Sequence, residues 1–119
     1  MKPIIDVNVK VEKKDYLECK TQMLVLGHFS DQKGLNKACS AIDKKIGGDI
    51  SRALKLGDFK GKEGTSIVVY GKSKIGAERV MIVGMGERKN MKIDTIRKAV
   101  SLAAYKAVEM KIKTMAVAI

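Results

Sequence analysis

Few residues of this sequence could do chemistry. His28 is the only histidine, so a metal site that needs two imidazole ligands cannot be built. Cys39 could act as a nucleophile with His28 as its base, because a thiol becomes reactive when a neighbouring group takes its proton. However, Cys39 falls on the apolar face of a predicted helix, where a packed and unreactive thiol is expected. We therefore predict no catalytic residue and no metal ligand in these 119 residues.

Four aspartates are the remaining candidates for acid–base or metal chemistry. They are scattered among lysines with no ligand spacing, and we expect them to be solvent-exposed loop and helix-capping residues: Asp31, Asp43, Asp49 and Asp58.

Two glycine motifs resemble nucleotide-binding loops, but each lacks a required part. Gly71-Lys72-Ser73 matches the end of a P-loop, yet Ser66 stands where the first glycine belongs and a predicted strand lies between. Gly84-Met85-Gly86 follows a strand, but Lys89 replaces the third glycine of a dinucleotide fingerprint. We interpret these glycines as a tight turn where chain segments pass closely.

The net charge of +11, from 24 Lys and Arg against 13 Asp and Glu, raises the question of a polyanionic partner such as DNA. The candidate polyanion-binding residues lie near the start of the last predicted helix: Arg88, Lys89, Lys92, Arg97 and Lys98. The chain has no Trp and few Phe or Tyr, so base stacking would contribute little and any binding would depend strongly on salt. Solvated helix faces are the competing interpretation.

Length and composition bound the remaining possibilities. A chain of 119 residues with 45% hydrophobic and 31% charged residues is one folded domain, too short for a multi-domain enzyme. Two cysteines are too few for a disulfide framework, so we expect reduced thiols and a cytoplasmic location. The start of the sequence has no secretory apolar region, and the longest apolar runs are about a third of a membrane span. We therefore expect a soluble protein with no membrane partner.

Five stretches have strand patterns. Ile5 to Val11 alternates apolar and polar residues, which predicts a half-buried strand, whereas the apolar run Met23 to Gly27 predicts an interior strand covered on both faces. Ile67 to Tyr70 and Arg79 to Val83 are close enough for an antiparallel hairpin. Thr114 to Ile119 predicts a last strand whose open edge, like that of the first, could associate with a second copy.

Helical periodicity fills the intervals between these strands. An amphipathic helix is predicted from Lys33 to the Gly47-Gly48 stop, followed by a shorter helix that Asp49 caps and Gly57 ends. The longest helix opens at Asp94 or Thr95. Its predicted buried face consists of Ile96, Ala99, Val100, Ala103, Ala104, Ala107 and Val108. The order of elements predicts an α/β fold with a mixed sheet flanked by helices.

Four strings in this order resemble one known domain. Leu54 to Lys62 contains the turn GDFKGK, Arg79 to Gly86 reads as a strand and glycine turn, Ala41 to Gly48 as a helix end, and Met115 to Ile119 as a closing strand. Together they resemble the N-terminal domain of the leucyl (cytosol) aminopeptidase family, over roughly Met23 to Ile119.

The resemblance implies a macro-domain-like three-layer sandwich that precedes a separate catalytic domain. It implies that residues 1–119 are a single, truncated N-terminal accessory domain without a cofactor of its own, serving assembly or access to the active site. Two divalent metals, zinc or manganese, would then belong to a C-terminal domain that removes N-terminal residues from peptides. Implied partners are that catalytic domain and further copies in a hexamer. A DNA-binding module and a macro-like binder of a nucleotide or ADP-ribose are the alternative functions.

Overall fold

The computed structural model describes residues 16–119 and arranges them around a four-stranded mixed sheet. The strands are β1 (Thr21–His28), β2 (Ser66–Tyr70), β3 (Ala77–Gly84) and β4 (Met115–Ala118), in the order β2-β3-β1-β4. β1 is parallel to both β3 and β4, while β2 and β3 form an antiparallel hairpin. The predicted hairpin, interior strand and closing strand are confirmed. The predicted strand at Ile5 to Val11 lies outside the described residues.

Helices cover both faces of the sheet. α1 (Lys37–Ile46) and α2 (Asp49–Leu56) pack on one face against Leu24 and Leu26 of β1, and α3 (Ile93–Glu109) packs on the other against Met23 and Val25. β1 therefore lies between two apolar clusters, which is why its sequence is an unbroken apolar run. The predicted mixed sheet with helices on both sides is confirmed.

α1 begins later than its periodicity predicted. The Asn36 side chain caps the helix by accepting a hydrogen bond from the backbone N–H of Cys39 at 2.8 Å. The start predicted at Lys33 is therefore wrong, because Leu35 packs against the core from the preceding loop. The predicted stop is confirmed: Gly47 ends α1 with φ of 93°, a left-handed conformation that favours glycine.

The start of α2 depends on a different aspartate from the one predicted. Gly48 is the N-cap residue, and Asp49 lies within the first turn. The buried carboxylate of Asp43 accepts hydrogen bonds from the backbone N–H of Ile50 at 2.8 Å and that of Ser51 at 3.2 Å. The solvent-exposed position expected for Asp43 and the cap expected at Asp49 are both wrong, because the turn between the helices folds α2 back onto α1.

The turn of the β2–β3 hairpin is tied to the junction between α1 and α2. The Lys72 Nζ donates to the backbone oxygen of Ile46 at 3.0 Å and lies 2.7 Å from Asp49 Oδ2. Hydrogen bonding to Lys72 is the main reason that the pKa of Asp49 lies below its ordinary value. The motif Gly71-Lys72-Ser73 thus forms a turn that contacts a helix end, in keeping with our rejection of a P-loop.

α3 differs from its prediction at its start and in the direction of its buried face. It begins at Ile93, with Lys92 as N-cap residue, so the predicted start at Asp94 or Thr95 is wrong by one or two positions. The buried residues are Thr95, Ala99, Ala103 and Ala107, whereas Ile96, Val100, Ala104 and Val108 remain partly or largely exposed. Because alanine side chains are small, α3 can approach the sheet closely with its alanine row facing the strands. The row of larger Ile and Val side chains then lies on one side of the helix. No helix within residues 16–119 has the length and apolar character needed to cross a membrane.

Candidate functional site

The five candidate polyanion-binding cations lie on neighbouring segments at the carboxyl edge of the sheet. Arg88 and Lys89 lie in a 3₁₀ turn (Arg88–Asn90) that follows β3. Lys92 precedes α3, and Arg97 and Lys98 lie in the first two turns of that helix. The structure therefore brings the predicted residues together, around the end of one loop and the start of one helix.

Acidic side chains occupy much of this basic cluster. Lys89 lies 3.3 Å from Glu87, and Arg97 lies 3.7 Å from Asp94. Lys98 reaches both Asp94, at 3.4 Å, and Glu63, at 3.5 Å. Its hydrogen bond and attraction to Asp94, followed by the attraction of Glu63, raise the pKa of Lys98 above its ordinary value. A polyanion would have to compete with these carboxylates for three of the five cations.

Arg88 has an aromatic partner instead of an acidic one. Its guanidinium carbon lies 4.4 Å from the centre of the Phe29 ring, within the range of a cation–π contact. The backbone N–H of Arg88 also donates to Asp31 Oδ1 at 3.2 Å. These two contacts fix the loop after β3 against the loop after β1.

A segment from the α2–β2 connection covers the carboxyl ends of β1 and β3. The backbone N–H of Gly86 donates to Gly61 at 2.9 Å, and that of Gly84 donates to Thr65 at 2.8 Å. A Cβ on Gly84 would overlap the carbonyl oxygen of Lys62, so only glycine permits this approach. Ligands of open α/β sheets commonly bind just beyond these strand ends, but here the protein's own GDFKGK turn lies there. The prediction that these glycines mark a close passage of chain segments is confirmed.

The residues considered for nucleophilic chemistry are packing residues. His28 is buried and its ring lies 6.0 Å from that of Phe59, and burial lowers the pKa of His28. Burial, followed by the nearby charge of Asp43, raises the pKa of Cys39 to about 11, so this thiol stays protonated at neutral pH. The predicted packed position of Cys39 is therefore confirmed, and its lack of reactivity stays a prediction.

Potential metal ligands do not cluster in the described part of the chain. Within residues 16–119, no group of three or more His, Cys, Asp or Glu side chains could hold a metal ion.

What sequence reasoning missed at this edge is the pairing of charges. Glu63 and Lys98 are 35 positions apart in the sequence, and only the fold places the α2–β2 connection beside α3. The i to i+3 spacing of Asp94 and Arg97 and the i to i+4 spacing of Asp94 and Lys98 were local signals that could have shown part of this pairing.

Known proteins with similar sequences include cytosol aminopeptidases. The family model described as "Cytosol aminopeptidase family, N-terminal domain" matches residues 25–119. A probable cytosol aminopeptidase of Alkaliphilus oremlandii is 31% identical over 110 residues, which are 92% of this chain and 22% of that protein. Another, from Ralstonia pickettii, is 42% identical over 71 residues, which are 60% of this chain and 14% of that protein. The chain thus spans about a fifth or less of these curated relatives.

Solved structures with a similar fold include an aminopeptidase and a macrodomain. A tomato leucine aminopeptidase mutant superposes with a TM-score of 0.74 at 19% identity, covering 89% of this chain and 21% of the other. The macrodomain of Mycobacterium tuberculosis DarG gives 0.67 at 18% identity, covering 89% and 72%. At these identities the likeness shows the fold alone, and it confirms the predicted macro-domain-like sandwich. Because the family model matches most of the chain, this chain belongs to the cytosol aminopeptidase family and corresponds to the N-terminal domain of its members.

Proposed function

We propose that this domain is the non-catalytic part of a longer metal-dependent aminopeptidase, in which it serves assembly or access to the active site. In that protein a C-terminal domain would hold two divalent metals, zinc or manganese, and remove N-terminal residues from peptides. The intact protein would be a cytoplasmic oligomer, a hexamer by its resemblance to the family. The observation that carries the proposal is the family match over residues 25–119 in a chain that spans about a fifth of its relatives.

The structural roles of the side chains that were candidates for chemistry support the same proposal. His28 packs on Phe59, and the Cys39 thiol is buried with a raised pKa. The Asp43 carboxylate is occupied by the backbone of α2. Residues of the types that could do chemistry hold the fold together instead.

The test is hydrolysis of leucine amide by the purified 119-residue chain and by the polypeptide obtained when the reading frame is followed past Ile119. Zinc and manganese are added separately, and a chelator serves as the control. The proposal expects hydrolysis by the longer polypeptide only, because catalysis by two metals needs their ligands in one site. Metal-dependent hydrolysis by the 119-residue chain, in proportion to its concentration, would show that the proposal is wrong.

DNA binding is the second candidate, since the structure gathers Arg88, Lys89, Lys92, Arg97 and Lys98 at one edge. Binding to a short duplex should weaken steeply as salt rises, because released counterions drive such binding. A Lys89→Ala, Lys92→Ala double variant should bind less tightly than a control that carries Lys44→Ala and Lys45→Ala in α1. Equal affinity of the two double variants would remove this candidate.

Binding of a nucleotide or ADP-ribose has less support. The likeness to a macrodomain concerns the fold, and a fold does not carry a function with it. The turn around Gly61 and Lys62 lies against Gly84 and His28, at the strand ends where such a ligand would be sought.

A further inference from the structure

β2 forms one edge of the described sheet, and the hydrogen bonds of the β2–β3 hairpin determine which of its residues face outward. The backbone N–H of Gly84 donates to the carbonyl of Thr65 at 2.8 Å, and that of Gly71 donates to the carbonyl of Glu78 at 2.9 Å. These bonds lie at the two ends of the register between the strands. Bonded and non-bonded residues alternate along an antiparallel pair, so the odd-numbered residues of β2 bond to β3. The even-numbered residues turn their N–H and C=O groups away from β3: Ser66, Val68 and Tyr70.

We call the outward N–H and C=O groups of these three residues the β2 edge. No other residue within 16–119 forms a hydrogen bond with them. Natural edge strands are usually shielded by a charged residue, a proline or a bulge. β2 has the sequence SIVVY, without charge or proline, and its register with β3 runs without a bulge. The β2 edge is therefore open to pairing with one more strand.

A groove runs beside the β2 edge. Side chains alternate between the two faces of a strand, and Val68 packs in the cluster beneath α3, so the even-numbered side chains lie on the α3 side. With Lys106 and Met110 of α3 they line a groove of about 330 Å³, which we call the α3–β2 groove. Further along the same row of α3, Lys98 and Leu102 line a second pocket of about 200 Å³. A strand added at the β2 edge would place every second side chain beside this groove.

The α3–β2 groove is apolar except at one position. Val68 and Met110 offer apolar surface, and the flexible thioether of Met110 can adapt to different side chains. Tyr70 is 57% exposed and adds an aromatic ring. Among the described residues that line the groove, Lys106 alone is charged, and its ion pair with Glu109 is long, at 3.8 Å. The groove therefore suits apolar side chains together with one acidic side chain.

A second copy of the chain fits the β2 edge poorly. If two β2 strands paired antiparallel about a two-fold axis, the two α3 helices, which pack over β3 and β1, would lie about four strand spacings, roughly 19 Å, apart. Helices in contact are roughly 8–10 Å apart. The pairing would bury little besides two strands of five residues. It would also set the Lys106 side of one α3 opposite that of the other, in two chains that each carry a net charge of +11.

We propose that the β2 edge and the α3–β2 groove bind an extended peptide segment of another protein, which adds to the sheet as a further strand. Hydrogen bonds between the two main chains supply the affinity, and the groove selects alternate side chains of the peptide. On its groove side the peptide carries an apolar residue, an acidic residue opposite Lys106 and a second apolar residue. Its remaining side chains point to the other face of the sheet and are not selected by the groove.

The test uses the 119-residue chain and a fluorescein-labelled probe peptide, Val-Thr-Asp-Thr-Val, flanked on each side by Gly-Ser. A scrambled peptide with the central sequence Val-Val-Asp-Thr-Thr is the matched control, because a strand of this sequence cannot place both valines on one side. Fluorescence anisotropy measures the affinity, and amide hydrogen exchange followed by NMR locates the bound peptide. At saturation we expect exchange of the outward N–H groups of Ser66, Val68 and Tyr70 to slow at least about tenfold. Exchange at Ile67 and Val69 should change little, because these residues already bond to β3.

Two pairs of variants separate strand addition from general attraction to a basic protein. Val68→Pro removes one outward N–H and leaves the bonds to β3 in place, and edge strands admit proline at such positions. Its control, Val68→Ala, keeps the N–H, and we expect the proline variant to bind the probe at least about fivefold more weakly than this control, which is the effect of one net hydrogen bond. Lys106→Glu should weaken binding at least about threefold at low salt. Lys45→Glu, at an exposed position of α1, changes the net charge equally and should have a smaller effect.

Equal affinities of the probe and the scrambled peptide would overturn the proposal, as would the absence of binding at millimolar probe. Exchange that slows equally at the odd- and even-numbered positions of β2 would also overturn it. If Val68→Pro does not fold, the charge variants decide, and equal weakening by Lys106→Glu and Lys45→Glu would overturn binding at this groove. Slow exchange of the outward N–H groups without the probe would show that the edge is already covered, and an increase with chain concentration would assign it to a second copy.

Discussion

Replacing Asp43 by alanine should destabilise the domain more than any other aspartate substitution within residues 16–119. Asp43 is 7% exposed, and its carboxylate accepts hydrogen bonds from the backbone of Ile50 and from the backbone and hydroxyl of Ser51. A hydrogen bond to a charged group contributes about 1.5–3 kcal/mol, and a buried donor left unpaired costs about 1–3 kcal/mol. Ile50 is fully buried, whereas Ser51 can regain water, so we expect a loss of about 3 kcal/mol in the free energy of unfolding.

The assay is urea unfolding at neutral pH, with two comparison variants. Asp43→Asn keeps one acceptor oxygen for Ile50 and should lose about 1 kcal/mol, the typical net value of one hydrogen bond. Asp58→Ala removes an exposed carboxylate and should change stability by less than about 0.5 kcal/mol. Because a domain is stable by only about 5–15 kcal/mol, the alanine variant should show a clear fall in the urea midpoint with an unchanged slope. An Asp43→Ala midpoint equal to that of Asp58→Ala would refute the capping role.

Three further predictions concern His28, Gly84 and Lys72. Burial lowers the pKa of His28 below its ordinary 6.5, so the unfolded chain takes up this proton first as pH falls. Stability should therefore fall below pH 6.5 by up to about 1.4 kcal/mol per pH unit, and His28→Leu should remove that part of the slope in urea unfolding at several pH values. Gly84→Ala should cost about 1–3 kcal/mol by thermal unfolding, because its Cβ meets rigid backbone. The control Gly27→Ala should cost less, since its Cβ meets only side-chain atoms, those of Met85 and Ile119, and the nearer Met85 side chain can move. Lys72→Met should raise the pKa of Asp49 in an NMR titration, by more than Arg52→Met does, because Lys72 is the larger cause of the lowered value. An equal rise in both variants would contradict this assignment.

The strands and the antiparallel pairing of the hairpin were predictable because local patterns and simple connection rules agree. The apolar run at Met23 to Gly27 can be satisfied only with cover on both faces, and the short link between Ile67 to Tyr70 and Arg79 to Val83 allows only an antiparallel pair. These features depend on residues close together in the sequence. The Gly47-Gly48 helix stop was predictable for the same reason.

The features that were not predicted depend on contacts between elements. An aspartate inside an amphipathic helix looks solvated until a second helix folds onto it, as α2 does on Asp43. The buried face of α3 was predicted wrongly because hydrophobic periodicity ranks Ile and Val above Ala. Close packing of a helix on a sheet favours the smaller Ala side chain. The ion pair between Glu63 and Lys98 cannot be recognised from the sequence. It places a carboxylate beside one cation of the basic cluster that the sequence indicated, and a polyanion would have to compete with that carboxylate.

The same fold can serve as a binding domain or as a structural one, and the carboxyl edge of the sheet decides between these uses. A ligand at that edge needs free backbone donors at the strand ends and room for its phosphates. Here the donors of Gly84 and Gly86 are bonded to the chain's own Thr65 and Gly61, and the glycine at position 84 serves to admit the Lys62 carbonyl. The glycines therefore bring two protein segments together where a nucleotide-binding domain would use them to admit a ligand. This arrangement supports the proposal that the domain has an accessory role beside a catalytic domain.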